Sequence, residues 1–133
     1  MRKSTMIALA AGLGLSAIQS LSAAAAIDYG GLKVALTSRG EIFTDAQGRT
    51  LYTYDGDLPG VSTCNDACAR QWPPATAEAG AKPTGELSLV TRDDGTRQWA
   101  DKGMPLYRFA NDKTPGAVTG DNVNNAWHVA KPE

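Results

Sequence analysis

Two cysteines and one histidine are the residues of this chain with the most versatile chemistry. Cys64 and Cys68 lie four positions apart. In a helix this spacing separates their Cα atoms by about 6 Å, which is within disulfide range. Cysteines of exported proteins usually pair, so a structural disulfide is the favoured interpretation. The alternative is a Cu(I) site made of both thiolates and the imidazole of His128, the only histidine. Copper is therefore the alternative cofactor, and otherwise none is predicted.

Two aspartates form a second candidate site. Asp57 and Asp112 each follow a strand-like run and precede a Pro-Gly pair. Two carboxylates that converge on one cleft are the acid and base that a hydrolase needs. Alternatively, each aspartate bonds to backbone N–H groups of its own turn, as Asp often does. A turn device is needed wherever the turn recurs, whereas an active site is usually single, so the sequence favours the structural role.

These residues belong to an internal repeat with a period of 55 residues. From residue 32 to residue 74, eight of 43 positions are identical to the position 55 further on, against about two or three expected at ordinary residue frequencies. The motif residues of the two copies are Tyr52, Tyr54, Asp57 and Trp72, and Tyr107, Phe109, Asp112 and Trp127. We interpret the pattern as a duplication.

Aromatic side chains occupy alternate positions in one segment of each copy. Tyr52 and Tyr54 would lie on one face of a strand, as would Tyr107 and Phe109. Such rows are either binding platforms for sugars or peptides, or core. Because the chain has only nine aromatic residues, a small domain needs most of them for packing, and the core role is favoured.

Each copy is predicted to be a three-stranded β-meander. The expected strands cover residues 34–37, 42–44 and 50–54 in the first copy, and 87–90, 98–100 and 105–109 in the second. A short helix is expected over residues 62–71, with Ser62 or Thr63 as N-cap and Asp66 in its first turn. The fold class is therefore an all-β or β-rich single domain of two duplicated meanders with one short helix. Repeat one spans about 32–74, the linker 75–85 and repeat two about 87–129.

The N-terminal 26 residues have the pattern of a secretory signal peptide. Arg2 and Lys3 precede an apolar stretch over residues 6–18, and small residues follow up to Ala26. The stretch is short and interrupted by polar and glycine residues, so no transmembrane anchor is expected. Cleavage near Ala26 would leave residues 27–133 as one periplasmic or extracellular domain.

Charge and motif content exclude several classes of protein. Without Arg2 and Lys3, 11 basic side chains face 14 acidic ones, and both kinds are scattered. This surface predicts no nucleic-acid partner. The chain also lacks a G-x-S-x-G elbow, a phosphate-binding glycine loop and a zinc signature.

The landmarks together resemble a bacterial family of secreted repeats and lipoproteins of unknown function, described by the motif Y-x-[FWY]-x-x-D. Residues 52–57 and 107–112 both fit the motif, and Cys64, Cys68 and Trp72-Pro73-Pro74 lie between these two occurrences of it. The resemblance implies export and a repeated β-rich unit, and it implies no particular activity. Many members carry a lipid-accepting cysteine, which this chain lacks.

The function that the sequence favours is that of an exported, non-enzymatic module that binds an unknown envelope protein or small ligand. A copper-binding or thiol redox protein using Cys64, Cys68 and His128 is the first alternative. A hydrolase using Asp57 and Asp112 is the second.

Overall fold

The computed structural model describes residues 27, 28 and 30–132 of the chain. The expected signal peptide, residues 1–26, lies outside the described residues. The strands are β1 Ile27–Asp28, β2 Leu32–Thr37, β3 Gly40–Asp45, β4 Tyr52–Tyr54, β5 Leu87–Thr91, β6 Arg97–Asp101, β7 Met104–Pro105 and β8 Trp127–Val129. The helix α1 spans Ala67–Gln71, and a 3₁₀ turn spans Val123–Asn125. The expected fold class is confirmed: two copies of mostly antiparallel strands, with one short α-helix among the described residues.

Each copy contributes one antiparallel hairpin. β2 pairs with β3 so that Val34 faces Phe43, and β5 pairs with β6 so that Leu89 faces Trp99. β-branched and aromatic residues favour such pleated, half-buried strands. β1 extends the first hairpin to the order β1-β2-β3, and β7 extends the second to β5-β6-β7.

The expected third strands of the two meanders differ from the prediction. In the first copy only Thr50 bridges back to β3, at Thr44, and the chain then leaves its own sheet. β4 pairs instead with β8, which comes from the end of the second copy. In the second copy the strand β7 ends at Pro105, and Tyr107 bridges to Tyr52. Pairing between copies, invisible to local pattern, replaces the continuous third strands.

A local twofold relation connects the two copies through this exchange. Tyr52 N–H donates to Tyr107 C=O at 2.7 Å, and Tyr107 N–H donates to Tyr52 C=O at 2.9 Å. The turn glycines follow the same relation. Gly48 (φ +88°) lies where an added Cβ would be 3.2 Å from Pro115, and Gly103 (φ +86°) where it would be 3.2 Å from Pro59. Each turn therefore requires glycine for two reasons: its backbone is left-handed, and a Cβ would lie too close to a proline.

Two clusters of buried side chains lie on the two faces of the exchanged segments. Leu51 and Leu106 enter a mostly aliphatic cluster with Leu32, Val34, Phe43, Ala75, Leu87, Trp99 and Ala130. The next residues, Tyr52 and Tyr107, enter an aromatic cluster with Cys64, Trp72, Phe109 and Trp127. The alternation expected of a strand thus divides the core into a mostly aliphatic half and an aromatic half.

The helix and the linker also differ from the prediction. α1 begins at Ala67, and Asp66, with φ 55°, is its N-cap residue without a side-chain hydrogen bond. Ser62 and Thr63 do not cap the helix because their side chains bond to Tyr107 and Asp57. The beginning of the expected linker is part of the second sheet: Thr76 bridges to Gln98, and Ala77 N–H donates to Arg97 C=O.

Candidate functional site

Each motif tyrosine bonds to the motif aspartate of the other copy. Tyr52 Oη donates to Asp112 Oδ2 at 2.6 Å, and Tyr107 Oη donates to Asp57 Oδ2 at 2.6 Å. All four side chains are buried. The duplicated motif therefore ties the copies together reciprocally.

The other oxygen of each carboxylate holds the turn that follows it. Asp57 Oδ1 accepts both the N–H and the hydroxyl of Thr63, and Asp112 Oδ1 accepts the same two groups of Thr119. The hydrolase alternative requires that the two carboxylates converge on one cleft. Each is instead buried in its own turn with both oxygens bonded.

Burial and these carboxylates keep the tyrosine protons in place. Loss of solvent, followed by the hydrogen bond to Asp57, raises the pKa of Tyr107 to about 12. The same causes, with Asp112 as the partner, raise the pKa of Tyr52 above its usual value. Ionising either phenol would place a second negative charge beside a buried carboxylate.

The Tyr107–Asp57 pair has a cationic neighbour. Arg92 is buried, and its guanidinium donates to Ser62 Oγ, Gln98 Oε1, Cys64 C=O and Asn65 Oδ1, at 2.8 to 3.0 Å. Ser62 Oγ lies 2.6 Å from Tyr107 Oη. Because the Tyr107 proton goes to Asp57, Ser62 donates to Tyr107. A chain of three hydrogen bonds therefore runs from a buried cation to a buried carboxylate.

Sequence reasoning missed the Arg92 network. The residue that stands 55 positions before Arg92 is Thr37, whose hydroxyl is exposed and bonds to Gly40 C=O. Arg92 comes directly after β5, two positions beyond the buried Val90, and this continuation of the strand alternation is the signal that the sequence offers. The signal is weak because arginine is seldom fully buried.

Four aromatic rings form a continuous stack across the copies. Their order is Tyr54, Trp127, Trp72, Phe109, with ring centroids 4.4, 3.8 and 4.1 Å apart. The two tryptophans are parallel to within 2°. Tyr52 meets Trp72 edge-on at 5.5 Å, and Tyr107 meets Trp127 edge-on at 5.2 Å. The expected aromatic face is therefore mostly core, and only Tyr54 is half-buried.

Cys64 and Cys68 form a disulfide with a Cα–Cα distance of 5.2 Å. Cys64 is buried in the aromatic cluster, and Cys68 packs against it from the helix. His128 is at least 60 positions away from both in sequence. Its Nε2 lies 2.8 Å from Asp55 Oδ2 at the surface. Within the described residues no three His, Cys, Asp or Glu side chains are grouped to hold a metal ion. A copper site would require a reduced pair and another arrangement of these side chains, and it stays a prediction.

A polar cleft of about 750 Å³ lies beside the first copy. Its walls include Gly30, Leu32 and Ala46 from that copy, the segment 78–82, and Trp99 and Arg108 from the second copy. A much smaller depression of about 180 Å³ lies at Gly85, Leu87 and Asp101. Since these residues stand 55 positions after Gly30, Leu32 and Ala46, the two hollows are related by the repeat.

Charged side chains of both signs line the larger cleft: Asp45, Glu78, Lys82 and Arg108. Asp45 Oδ1 already accepts the N–H groups of Gln47 and Arg49. The guanidinium of Arg108 and the ammonium of Lys82 make no hydrogen bond or ion pair with any residue that the structure describes. The cleft thus has two cations available to a ligand. Nothing in the repeat pattern pointed to them, because Lys82 lies in the linker and Arg108 aligns with Thr53.

Fold and site together define a two-repeat β protein whose copies exchange tyrosine–aspartate pairs. The family model described as a secreted repeat of unknown function, Lipoprotein_15, matches residues 33–76 and again 88–131. The chain belongs to this family, and the suspected resemblance is confirmed. No curated protein and no solved structure matches the chain. In the described part of the chain, no helix has the length and apolar character needed to cross a membrane.

Proposed function

We propose that the protein is a non-enzymatic binding module that holds a small polar ligand in the cleft beside its first copy. The observation that carries this proposal is the position of the cleft relative to the two repeats. Its outer wall, residues 78–82, falls between the two matched repeats and belongs to neither. The related depression of about 180 Å³ is not lined by this segment. The cleft that the segment walls has a volume of about 750 Å³, which is large enough for a small ligand.

The state of the chemical groups supports binding rather than catalysis. The carboxylates of Asp57 and Asp112 and the tyrosines that bond to them are buried and fully engaged with one another. The cysteines are bonded to each other. A general acid or base must reach the proton that it transfers, and these groups face each other rather than the cleft.

The charges of the cleft indicate the chemistry of its ligand. Arg108 and Lys82 are available, and Asp45 already holds its own turn. Glu78 is the one other anion in the lining, so the groups without a bonding partner carry two positive charges against one negative charge. A guanidinium recognises a carboxylate through two parallel hydrogen bonds. The ligand would therefore carry a carboxylate, which Arg108 binds, with Lys82 close to the rim.

The experiment is a nuclear magnetic resonance titration of the ¹⁵N-labelled protein with trialanine, trialanine amide and galacturonate. We expect shifts confined to Gly30, Gly31, Gly80 and the Trp99 indole, with trialanine or galacturonate and not with the amide. Arg108→Gln should abolish these shifts. Arg70→Gln, on the exposed side of α1 and outside the cleft, is the matched control and should leave them unchanged. Shifts elsewhere, or none with any carboxylate at millimolar concentration, would contradict the proposal.

The proposed place of action is the periplasm or the outside of the cell, after removal of residues 1–26. Intact-mass measurement of the exported protein should give the mass of residues 27–133 less two hydrogens. A larger mass that retains the N-terminal residues would refute the cleavage near Ala26. A reduced cysteine pair that holds one copper, with the copper lost in His128→Ala, would favour the copper alternative.

A further inference from the structure

We propose that the aromatic cluster is a one-electron donor site, in which Tyr52 reduces an oxidising radical that meets the protein at Tyr54. The proton of Tyr52 would pass to Asp112. This activity is separate from ligand binding in the cleft, and it assigns a chemical role to groups that binding does not use.

A path for the electron exists because the rings are in contact. Tyr54 is the half-buried end of the stack, and its ring centroid lies 4.4 Å from that of Trp127. The ring centroids of Trp127 and Trp72 lie 3.8 Å apart, and those of Trp72 and Tyr52 lie 5.5 Å apart. Electron tunnelling weakens steeply with distance, so a series of short steps between oxidisable rings conducts far better than one long step. Two parallel tryptophans also share a positive hole between them, which makes the pair easier to oxidise than a single ring.

A proton acceptor determines which aromatic residue remains oxidised. Oxidation of a phenol makes its O–H strongly acidic, and in an apolar interior the proton must leave at the same time as the electron. Tyr52 Oη lies 2.6 Å from Asp112 Oδ2, already in a hydrogen bond that points the proton at the carboxylate. In the step, the Tyr52 O–H bond breaks and an Asp112 O–H bond forms. The electron reduces the radical through the stack, and a neutral tyrosyl radical and a protonated Asp112 remain.

Two tyrosines have this arrangement, and their surroundings distinguish them. Tyr107 Oη lies 2.6 Å from Asp57 Oδ2. Tyr107 is also linked to the buried guanidinium of Arg92, through hydrogen bonds to Ser62. A nearby cation opposes the removal of an electron, and it also opposes protonation of Asp57. The other contact to Tyr52 Oη is the neutral N–H of Gly120. The geometry therefore assigns the radical to Tyr52.

The test is flash oxidation of the disulfide-intact protein by photogenerated tris(bipyridine)ruthenium(III), a one-electron oxidant, followed by electron paramagnetic resonance. The wild type should give a neutral tyrosyl signal. Tyr52→Phe should lose most of that signal and give a tryptophan radical, whereas Tyr107→Phe, the matched control, should retain it. Asp112→Asn should also replace the tyrosyl signal by a tryptophan signal, because the amide accepts no proton.

Folding of each variant is checked by its near-ultraviolet circular dichroism, which reports the tryptophan stack. A tyrosyl signal that survives in folded Tyr52→Phe and disappears in Tyr54→Phe or Tyr29→Phe would overturn the proposal, since another tyrosine would then be the donor. Equal losses in Tyr52→Phe and Tyr107→Phe would overturn the assignment to one tyrosine.

Discussion

The two tyrosine–aspartate pairs are built alike and supported differently. At Tyr107–Asp57 the surroundings add Ser62, the buried Arg92 and the disulfide between Cys64 and Cys68. At Tyr52–Asp112 the corresponding support is one backbone N–H, from Gly120. Val118 and Gly120, 56 positions after Ser62 and Cys64, offer neither a hydroxyl nor a thiol. Duplication preserved the contacts that join the copies, and the surroundings of those contacts diverged.

The largest effect should come from removing the cation that only one pair has. Arg92→Leu leaves the buried acceptors Gln98 Oε1 and Cys64 C=O without their donor, as well as the half-buried Asn65 Oδ1. Unsatisfied buried acceptors are costly, so the free energy of unfolding should fall by about 3 kcal/mol. The measurement is urea-induced unfolding.

The control for this change is Thr37→Leu at the equivalent strand end of the first copy, where the hydroxyl is exposed. It should change the free energy of unfolding by less than about 0.5 kcal/mol. If Arg92→Leu lowers the free energy of unfolding no more than Thr37→Leu does, the Arg92 network does not stabilise the first pair more than the second.

Removing the disulfide should have an intermediate effect, mostly local to the first copy. A cross-link that closes so short a loop contributes about 2 kcal/mol, so Cys64→Ala/Cys68→Ala should lose that amount in urea unfolding. Hydrogen exchange compares one backbone amide near the disulfide with one in the second copy. Trp72 N–H, bonded to Cys68 C=O, should exchange faster, while Ala126 N–H, bonded to Val123 C=O, should not change. Equal acceleration at both amides would mean that the disulfide supports the whole fold rather than one copy.

The smallest effect, counted for one tyrosine and one pH unit, is the alkaline loss of stability, to which the two tyrosines contribute separately. Both pKa values are higher in the folded protein than the usual 10.0, and that of Tyr107 is raised to about 12. The neutral phenol is thus favoured by folding. Its stabilising contribution is complete below pH 10 and is lost as the pH rises through the folded pKa. Each tyrosine should lower the free energy of unfolding by about 1.4 kcal/mol per pH unit in this window.

Urea unfolding between pH 9.5 and pH 11.5, alongside Tyr52→Phe and Tyr107→Phe, separates the two contributions. Each variant should show about half of the wild-type slope that comes from the tyrosines. A slope that neither variant reduces would show that other groups carry the alkaline transition.

Much of the fold could be predicted from residue pattern. The hairpins of residues 32–45 and 87–101 follow from alternating apolar residues and from turns at Gly40 and Gly95, which are local properties of the chain. The pairing of Cys64 with Cys68 was equally local. The start of α1 was predicted too early because Ser62 and Thr63 look like caps until the partners that occupy them, Tyr107 and Asp57, are known.

The candidate site was predicted only in part. The tyrosines and aspartates were singled out by their repetition, but each aspartate was assigned to its own turn alone. The hydrogen bond from the tyrosine of the other repeat could not be inferred, because a repeat period identifies equivalent residues but not the residues that are in contact. Arg108, Lys82 and Arg92 carried no repeated pattern, and each was found only by its surroundings.

The sequence by itself determined the duplication, the hairpins, the disulfide spacing and the division of each strand into two faces. These depend on neighbours along the chain and on the pleat of a strand. Only the tertiary structure decided that β4 pairs with β8, that the tyrosines exchange aspartates, and that the segment 78–82 walls a cleft. Those contacts join residues up to 77 positions apart, as Tyr52 and Val129 are, and many long-range pairings satisfy the same local pattern. Close packing of the whole chain selects one of them.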